Sequence, residues 1–336
     1  MLAEKFTVAG RAIERGGKPY VIAEAGSNFN QSRDTARALI DAAVKARADA
    51  IKFQLFKASV LYPDGGPVYD ILRSVELNAS WVPDLADYAK SRGIAFLASA
   101  FDLQSFAVLE AVGVPAHKVA SSEATNVQLL AAMARTGKPI FLATGMCDLT
   151  DVSAALAVIA SEGNRQVSLM QCGSVYPLPE ERTNLRVIDT FASVFGGPVG
   201  FSDHTLGRDA AVAAVARGAV TFEKHFTVDR KLPGPDHSYA LEPTELVDYV
   251  ASLHRIHAAL GDGTKDMLPE ERAVGRREGL HARKRIEAGA RLTTDDIEVR
   301  RPATGIRARD LALAVGAVSR GVIEVGEPIR WTDIRL

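Results

Sequence analysis

Cysteine is scarce in this 336-residue chain; only Cys147 and Cys172 are present. Two thiols in apolar surroundings do not build a disulfide framework, so a reducing compartment, the cytoplasm, is expected. The first residues, Met1-Leu2-Ala3-Glu4-Lys5, lack the apolar stretch of a secretory signal. No uninterrupted apolar run approaches the roughly 20 residues of a membrane span. Blocks of like charge are missing too. The net charge of -1 gives no reason to expect nucleic acid or a membrane as partner. In such a chain Asn78-Ala79-Ser80 is a chance match to a glycosylation sequon.

What is present, from residue 20 to 260, is alternation of short apolar runs with longer amphipathic ones. The strand candidates are 21–25, 50–55, 94–98, 118–121, 140–144, 167–172, 199–202 and 219–224. They are short and often β-branched, as buried parallel strands are. Helical spacing fills the intervals 35–46, 79–91, 103–112, 126–135, 148–161, 184–195, 208–217 and 243–260. Gly93, Gly113 and Gly137 act as stops. An open doubly wound sheet needs a glycine-rich phosphate loop after its first strand. Here that stretch is Gly26-Ser27-Asn28-Phe29-Asn30, with one glycine. An α/β TIM (β/α)8 barrel over 1–262 is therefore expected. Residues 263–278 read as a charged linker. Residues 279–336 read as a small, mostly β domain, in which Ala288-Gly289-Ala290 and Val325-Gly326-Glu327 mark two half-repeats.

In a barrel the chemistry sits at the C-terminal strand ends. Those ends supply Glu24; Lys52 with Gln54; Ser99; Lys118, Ser121 and Glu123; Thr144; and Ser174 with Tyr176. The last two carry Gly200-Phe201-Ser202-Asp203-His204-Thr205 and Phe222-Glu223-Lys224-His225-Phe226. Residues i and i+2 share a face of a strand, so Ser202 with His204, and Glu223 with His225, aim at one place. Either histidine alone reads as a satisfied core residue. Together they offer nitrogen ligands to Mn²⁺, Fe²⁺ or Zn²⁺. The lysines and hydroxyls make an anion site, and the glutamates can position water or move protons. After them, Pro233-Gly234-Pro235-Asp236-His237 reads as a rigid turn that presents Asp236 above the mouth.

These residues, with Ile22-Ala23-Glu24, Lys52-Phe53-Gln54, Lys118-Val119-Ala120-Ser121, Ala143-Thr144-Gly145-Met146 and the run from Cys172 to Pro177, resemble the sialic acid (N-acetylneuraminate) synthase family. The tail resembles that family's antifreeze-like (SAF) domain. The resemblance implies condensation of phosphoenolpyruvate with an N-acylmannosamine-type sugar and water, giving a nonulosonic acid and phosphate. It implies His204 and His225 as ligands of Mn²⁺ or Mg²⁺, which activates the sugar aldehyde. Lys118, Ser121, Ser202 and Ser99 would hold the phosphate, with Lys52 near the carboxylate. Glu24 and Glu123 would position substrate or water and move protons. Gln54, Ser174, Tyr176 and Asp236 would contact substrate. Arg301 would reach across from another subunit of a domain-swapped homodimer.

Four positions depart from the family pattern around the sugar and phosphate. Asn28-Phe29-Asn30-Gln31 lacks a common histidine. Ala143 stands for a serine and Ser174 for an asparagine. The stretch at Gly65-Gly66-Pro67 lacks an asparagine. The Pro-Gly-Pro-Asp-His turn is nearer the neuraminate and legionaminate branches than the pseudaminate one, and the sugar stays open among them. Two other expectations compete: a Schiff-base aldolase using Lys52 or Lys118, and a non-catalytic carbohydrate- or ice-binding module.

Overall fold

Strand residues point alternately to opposite faces, and in each apolar run from Tyr20 onward one set is apolar throughout while the other changes character along the strand. That pattern builds the first of two units in this computed structural model, which describes residues 1–274 and 276–336. The units are Met1–Gly261 and Asp262–Leu336. The first opens with a hairpin, β1 (Lys5–Val8) and β2 (Arg11–Glu14). Eight strands follow: β3 (Tyr20–Gly26), β4 (Ala50–Leu55), β5 (Ala95–Ala100), β6 (His117–Val119), β7 (Ile140–Ala143), β8 (Val167–Cys172), β9 (Val199–Asp203) and β10 (Thr221–His225). All pair in parallel, and β10 closes on β3 to complete a barrel.

The outward set, including Val21, Ala23, Ile51, Phe53, Leu142, Leu169, Phe201 and Phe222, is buried against surrounding helices. Those helices include Arg33–Lys45, Val82–Ser91, Leu103–Ala111, Val127–Arg135, Leu149–Ser161, Val187–Val194, Asp209–Ala216 and Pro243–Leu260. Ser32, Asp102, Asn126 and Asp148 cap four of them by accepting from first-turn N–H groups. The expected barrel is thus observed. The hairpin and a helix at Pro67–Val75 are additions that the strand and helix periodicity does not announce.

The inward set is graded. At the N-terminal end Tyr20, Ile22, Ala50, Leu97, Phe141 and Met170, with Val220 just before β10, pack with Phe6, Val8 and Ile13 of the hairpin, which seals that end. Midway, Ser168 and Thr221 share a hydrogen bond of 2.7 Å. A Cβ at Gly200 would lie 2.0 Å from Thr221 Oγ1, so only glycine fits there. Toward the C-terminal end the inward positions become Glu24, Lys52, Ser99, Lys118, Ser202, Glu223, His204 and His225, all buried.

The second unit pairs β11 (Gly279–Ala282) with β12 (Ile297–Arg300), and β13 (Val318–Ser319) with β14 (Ile334–Arg335). Its core is Leu280, Ala282, Ile286, Leu292, Ile297, Ile306, Ala314, Ala317, Ile323, Ile329 and Ile334. Ile286 bridges Ile323, and Gly289 and Gly326 both take positive φ, 80° and 82°. Capping boxes recur at Thr293–Asp296 and Arg330–Asp333, one in each half. The expected linker contains the helix Pro269–Val274, and its residue 275 lies outside the described residues.

Candidate active site

The barrel mouth gathers charge in a dry place. Lys52 Nζ lies 2.9 Å from Glu24 Oε1 and donates to Ser99 Oγ at 3.0 Å. Gln54 donates to the same Glu24 oxygen at 3.0 Å. Glu223 Oε1 faces Lys118 at 3.4 Å and Lys52 at 3.7 Å, and accepts from Ser202 Oγ at 3.3 Å. Glu223 thus joins both lysines. Its spacing from His225 placed it at the mouth in sequence, but nothing there gave it this role.

Burial shapes the charges. It pushes Glu24 up to about 7, aided by Glu223 and opposed by Lys52. Burial also acts against ionised Glu223, but Lys118, Lys52 and the histidines overcome it and hold this carboxyl down at about 2. Lys118 is pushed down by burial, while for Lys52 the two carboxylates outweigh burial and push it up. Two amines outnumber the one firmly ionised carboxylate between them, and that excess of positive charge is what an anion would meet, while Glu24 sits where protons exchange near neutrality.

Several buried polar atoms here have no partner: Glu24 Oε2, Glu223 Oε2, Asn28 Oδ1, Ser174 Oγ and His225 Nδ1. Buried polar groups are ordinarily satisfied, so this concentration marks a place prepared for a ligand. On the side of β6 and β7, Gly145 N donates to Ser121 Oγ at 2.9 Å. A Cβ on Gly145 would lie 2.3 Å from Ser174 Oγ and 2.8 Å from Ser121 Oγ. Gly145 thus lets two hydroxyls and a backbone N–H converge.

On the side of β9 and β10, the rings of His204 and His225 are 5.5 Å apart, centre to centre. His204 Nδ1 donates to the Gly173 carbonyl at 2.7 Å, which leaves the Nε2 lone pair free. Burial pushes His225 down to about 4, against Asp236, so its ring is neutral at pH 7. Burial acts against a charged His204 too, but Cys172 and the Gly173 carbonyl outweigh it and push this ring up; the two imidazoles are the side chains here that could hold a divalent ion. Among the described residues no group of three or more His, Cys, Asp or Glu side chains is placed to hold a metal ion, so the imidazole pair alone would supply nitrogen ligands here. Tyr176 packs on His204 with ring centres 4.1 Å apart. Asp236 is held by Tyr239 OH at 2.6 Å and Ser27 Oγ at 3.4 Å, with Oδ2 3.9 Å from His225 Nδ1.

Other expected residues make local contacts. Glu123 follows β6 on a 3-10 turn and accepts from Asn126 at 3.0 Å rather than from the lysine cluster. Arg301 belongs to the second unit, where it pairs with Glu278 at 2.8 Å. Phe29, at the position of the missing histidine, is fully buried against Phe53 and Trp81, so it brings no polar group to the mouth. Asn30 instead meets His237 Nε2 at 2.7 Å, clipping the loop after β3 to the Pro-Gly-Pro turn. Ser27, Asn28 and Tyr239 were not singled out in sequence, because loops rather than strand periodicity place them.

A family profile described as NeuB family matches residues 39–265, and one described as SAF domain matches residues 277–335. The chain belongs to the NeuB family. It is 35% identical to the N,N'-diacetyllegionaminic acid synthase of Legionella pneumophila over 94% of each chain. The crystal structure of Bacillus subtilis spore coat polysaccharide biosynthesis protein SpsE matches with 34% identity over 99% of both chains and a TM-score of 0.71. That of N-acetylneuraminic acid synthetase from Leptospira borgpetersenii matches with 31% identity, 81% of this chain, 95% of that one and a TM-score of 0.77. This NeuB chain is accordingly an enzyme, a synthase of the transferase class. The NeuB match includes both lysines, both histidines and Asp236, and the SAF match includes Arg301.

Proposed function

We propose that the enzyme condenses phosphoenolpyruvate with an N-acylmannosamine-type sugar and water to a nonulosonic acid and phosphate. The observation that carries this reading is the buried mouth in which two lysines flank one ionised glutamate beside paired imidazoles. In it, Lys118, Ser121, Ser202 and Ser99 hold the phosphate, and Lys52 stands at the carboxylate end. His204 and His225 hold a divalent ion, Mn²⁺ or Mg²⁺, which when bound polarises the sugar aldehyde. The enol carbon of phosphoenolpyruvate bonds to that aldehyde carbon, water adds at the neighbouring carbon, and phosphate leaves. Glu24, near 7, exchanges the protons of water and alkoxide. Gln54, Ser174, Tyr176 and Asp236 orient the sugar, and Glu123 acts from the rim.

Arg301 completes the mouth of a second copy in a domain-swapped homodimer. The sugar is the neuraminate or legionaminate precursor, with the pseudaminate precursor as alternative; the identity to a legionaminic acid synthase supports this choice. A cytoplasmic location accords with the two unpaired cysteines. Among the described residues no helix is long and apolar enough to cross a membrane.

Phosphate release measured with a panel of amino sugars tests the reading. It should require both sugar and divalent ion and stop on chelation; release indifferent to chelator overturns it. A second reading, a Schiff base on Lys118, is favoured by the burial that lowers this amine. Borohydride trapping of pyruvate on Lys118 would establish it.

A further inference from the structure

Directly behind the paired imidazoles, on the helix-facing side of β9 and β10, lies a second polar cluster that the condensation does not use. Asp203, Thr205, Lys224 and Tyr249 are each at most 1% exposed. Lys224 Nζ lies 3.0 Å from Asp203 Oδ2 and also donates to the Thr205 carbonyl. Asp203 Oδ1 accepts from Thr205 N at 2.9 Å and from Thr205 Oγ1 at 2.7 Å. Tyr249 OH, from the helix Pro243–Leu260, donates to Asp203 Oδ2 at 3.3 Å.

The placement is specific. Lys224 pairs with Asp203 at the last rung of the β9–β10 ladder. His204 follows Asp203 directly, and His225 follows Lys224. The paired register of β9 and β10 ends at that rung. His204 is instead the middle residue of a turn closed by Asp203 on Thr205. Lys224 grips both ends of that turn from the neighbouring strand. Two rungs earlier the same outward face carries Phe201 opposite Phe222, both fully buried. Apolar side chains therefore fill this layer well enough. A buried ion pair recovers its desolvation cost only with good geometry and full hydrogen bonding, so packing alone does not account for it.

We propose that Asp203, Lys224 and Tyr249 form an outer brace that fixes the separation of His204 and His225, and hence the affinity for the divalent ion. They are positioning residues and touch neither ion nor substrate. The inference rests on the reading that this pair binds the ion.

The test compares Mn²⁺ affinity, by electron paramagnetic resonance, with phosphoenolpyruvate affinity, by calorimetry, in folded full-length variants. Lys224→Met should weaken Mn²⁺ about tenfold or more, as loss of an outer support does at metal sites. Phosphoenolpyruvate affinity should fall less than Mn²⁺ affinity, because Lys118 and Ser99 stand on strands that Lys224 does not pair with. Tyr249→Phe removes one hydrogen bond and should weaken Mn²⁺ by about threefold, a fraction of a hydrogen bond's net worth; it covers the case in which Lys224→Met fails to fold. Phe222→Leu, in the same layer, should lower Tm and leave Mn²⁺ affinity unchanged. Unchanged Mn²⁺ affinity in folded Lys224→Met, or in Tyr249→Phe if Lys224→Met does not fold, overturns the brace. So does an equal loss in Phe222→Leu. If the unaltered chain binds no Mn²⁺, the ion reading itself fails and the brace falls with it.

Discussion

Glu223 stands 3.4 Å from Lys118 inside the barrel, and the same carboxylate oxygen reaches toward Lys52 at 3.7 Å. Removing that charge leaves two buried amines facing each other. Glu223→Gln is expected to lower Tm, since an uncompensated buried charge costs about 3–5 kcal/mol. Phosphoenolpyruvate should raise Tm more in this variant than in the unaltered enzyme, because it returns negative charge to the same place. Thermal shift with and without phosphoenolpyruvate reads both effects; equal ligand-induced shifts count against the anion assignment.

Lys118→Met should raise the Kd for phosphoenolpyruvate by about 10- to 100-fold, the worth of a charge-assisted hydrogen bond. Calorimetry without divalent ion isolates this from the histidine pair. Undiminished binding would place the phosphate elsewhere.

Gly145→Ala should disturb the same subsite by shape. The added methyl would fall 2.3 Å from Ser174 Oγ, so the hydroxyls must part. The expected result is a raised KM for phosphoenolpyruvate with a circular dichroism spectrum like that of the unaltered enzyme.

Glu24→Gln should lower kcat by about 10²- to 10⁴-fold, the usual worth of a proton-transfer group. Phosphoenolpyruvate affinity should fall much less than kcat, since Lys118 stays in place while Lys52 loses its closer carboxylate partner. A kcat that survives would return Glu24 to a purely structural role beside Lys52.

His117 gives a pH signature remote from the mouth. Burial holds it down at about 4, and its Nε2 lies 3.0 Å from Thr136 Oγ1. Its ordinary value is 6.5, so below that pH the unfolded chain takes a proton that the folded chain refuses. Stability from this group is full above 6.5 and is lost as pH falls toward 4. Tm should drop across that window, and less steeply in His117→Gln.

Much of this was legible because the barrel writes its architecture in two periods. Inward residues such as Glu24, Lys52 and His225 follow from i, i+2 alternation and the rule that strand ends carry chemistry. The hairpin at Lys5–Glu14 was not legible, because its strands are only four residues long and its turn, Ala9-Gly10, lacks the usual asparagine. Glu223 was visible as a position but not as a hub, since charge partners on other strands depend on closure and register. Tyr239 and Ser27 come from loops, where no period operates.

The plug of Phe6, Val8 and Ile13 closes the N-terminal end of the barrel, which leaves the C-terminal end as the approach to the mouth. Whatever settles deepest, against Lys52 and Lys118, has to arrive before the molecule resting on Tyr176 and His204. Turnover should therefore follow a fixed queue, last in and first out, and the pattern of product inhibition will show whether it does.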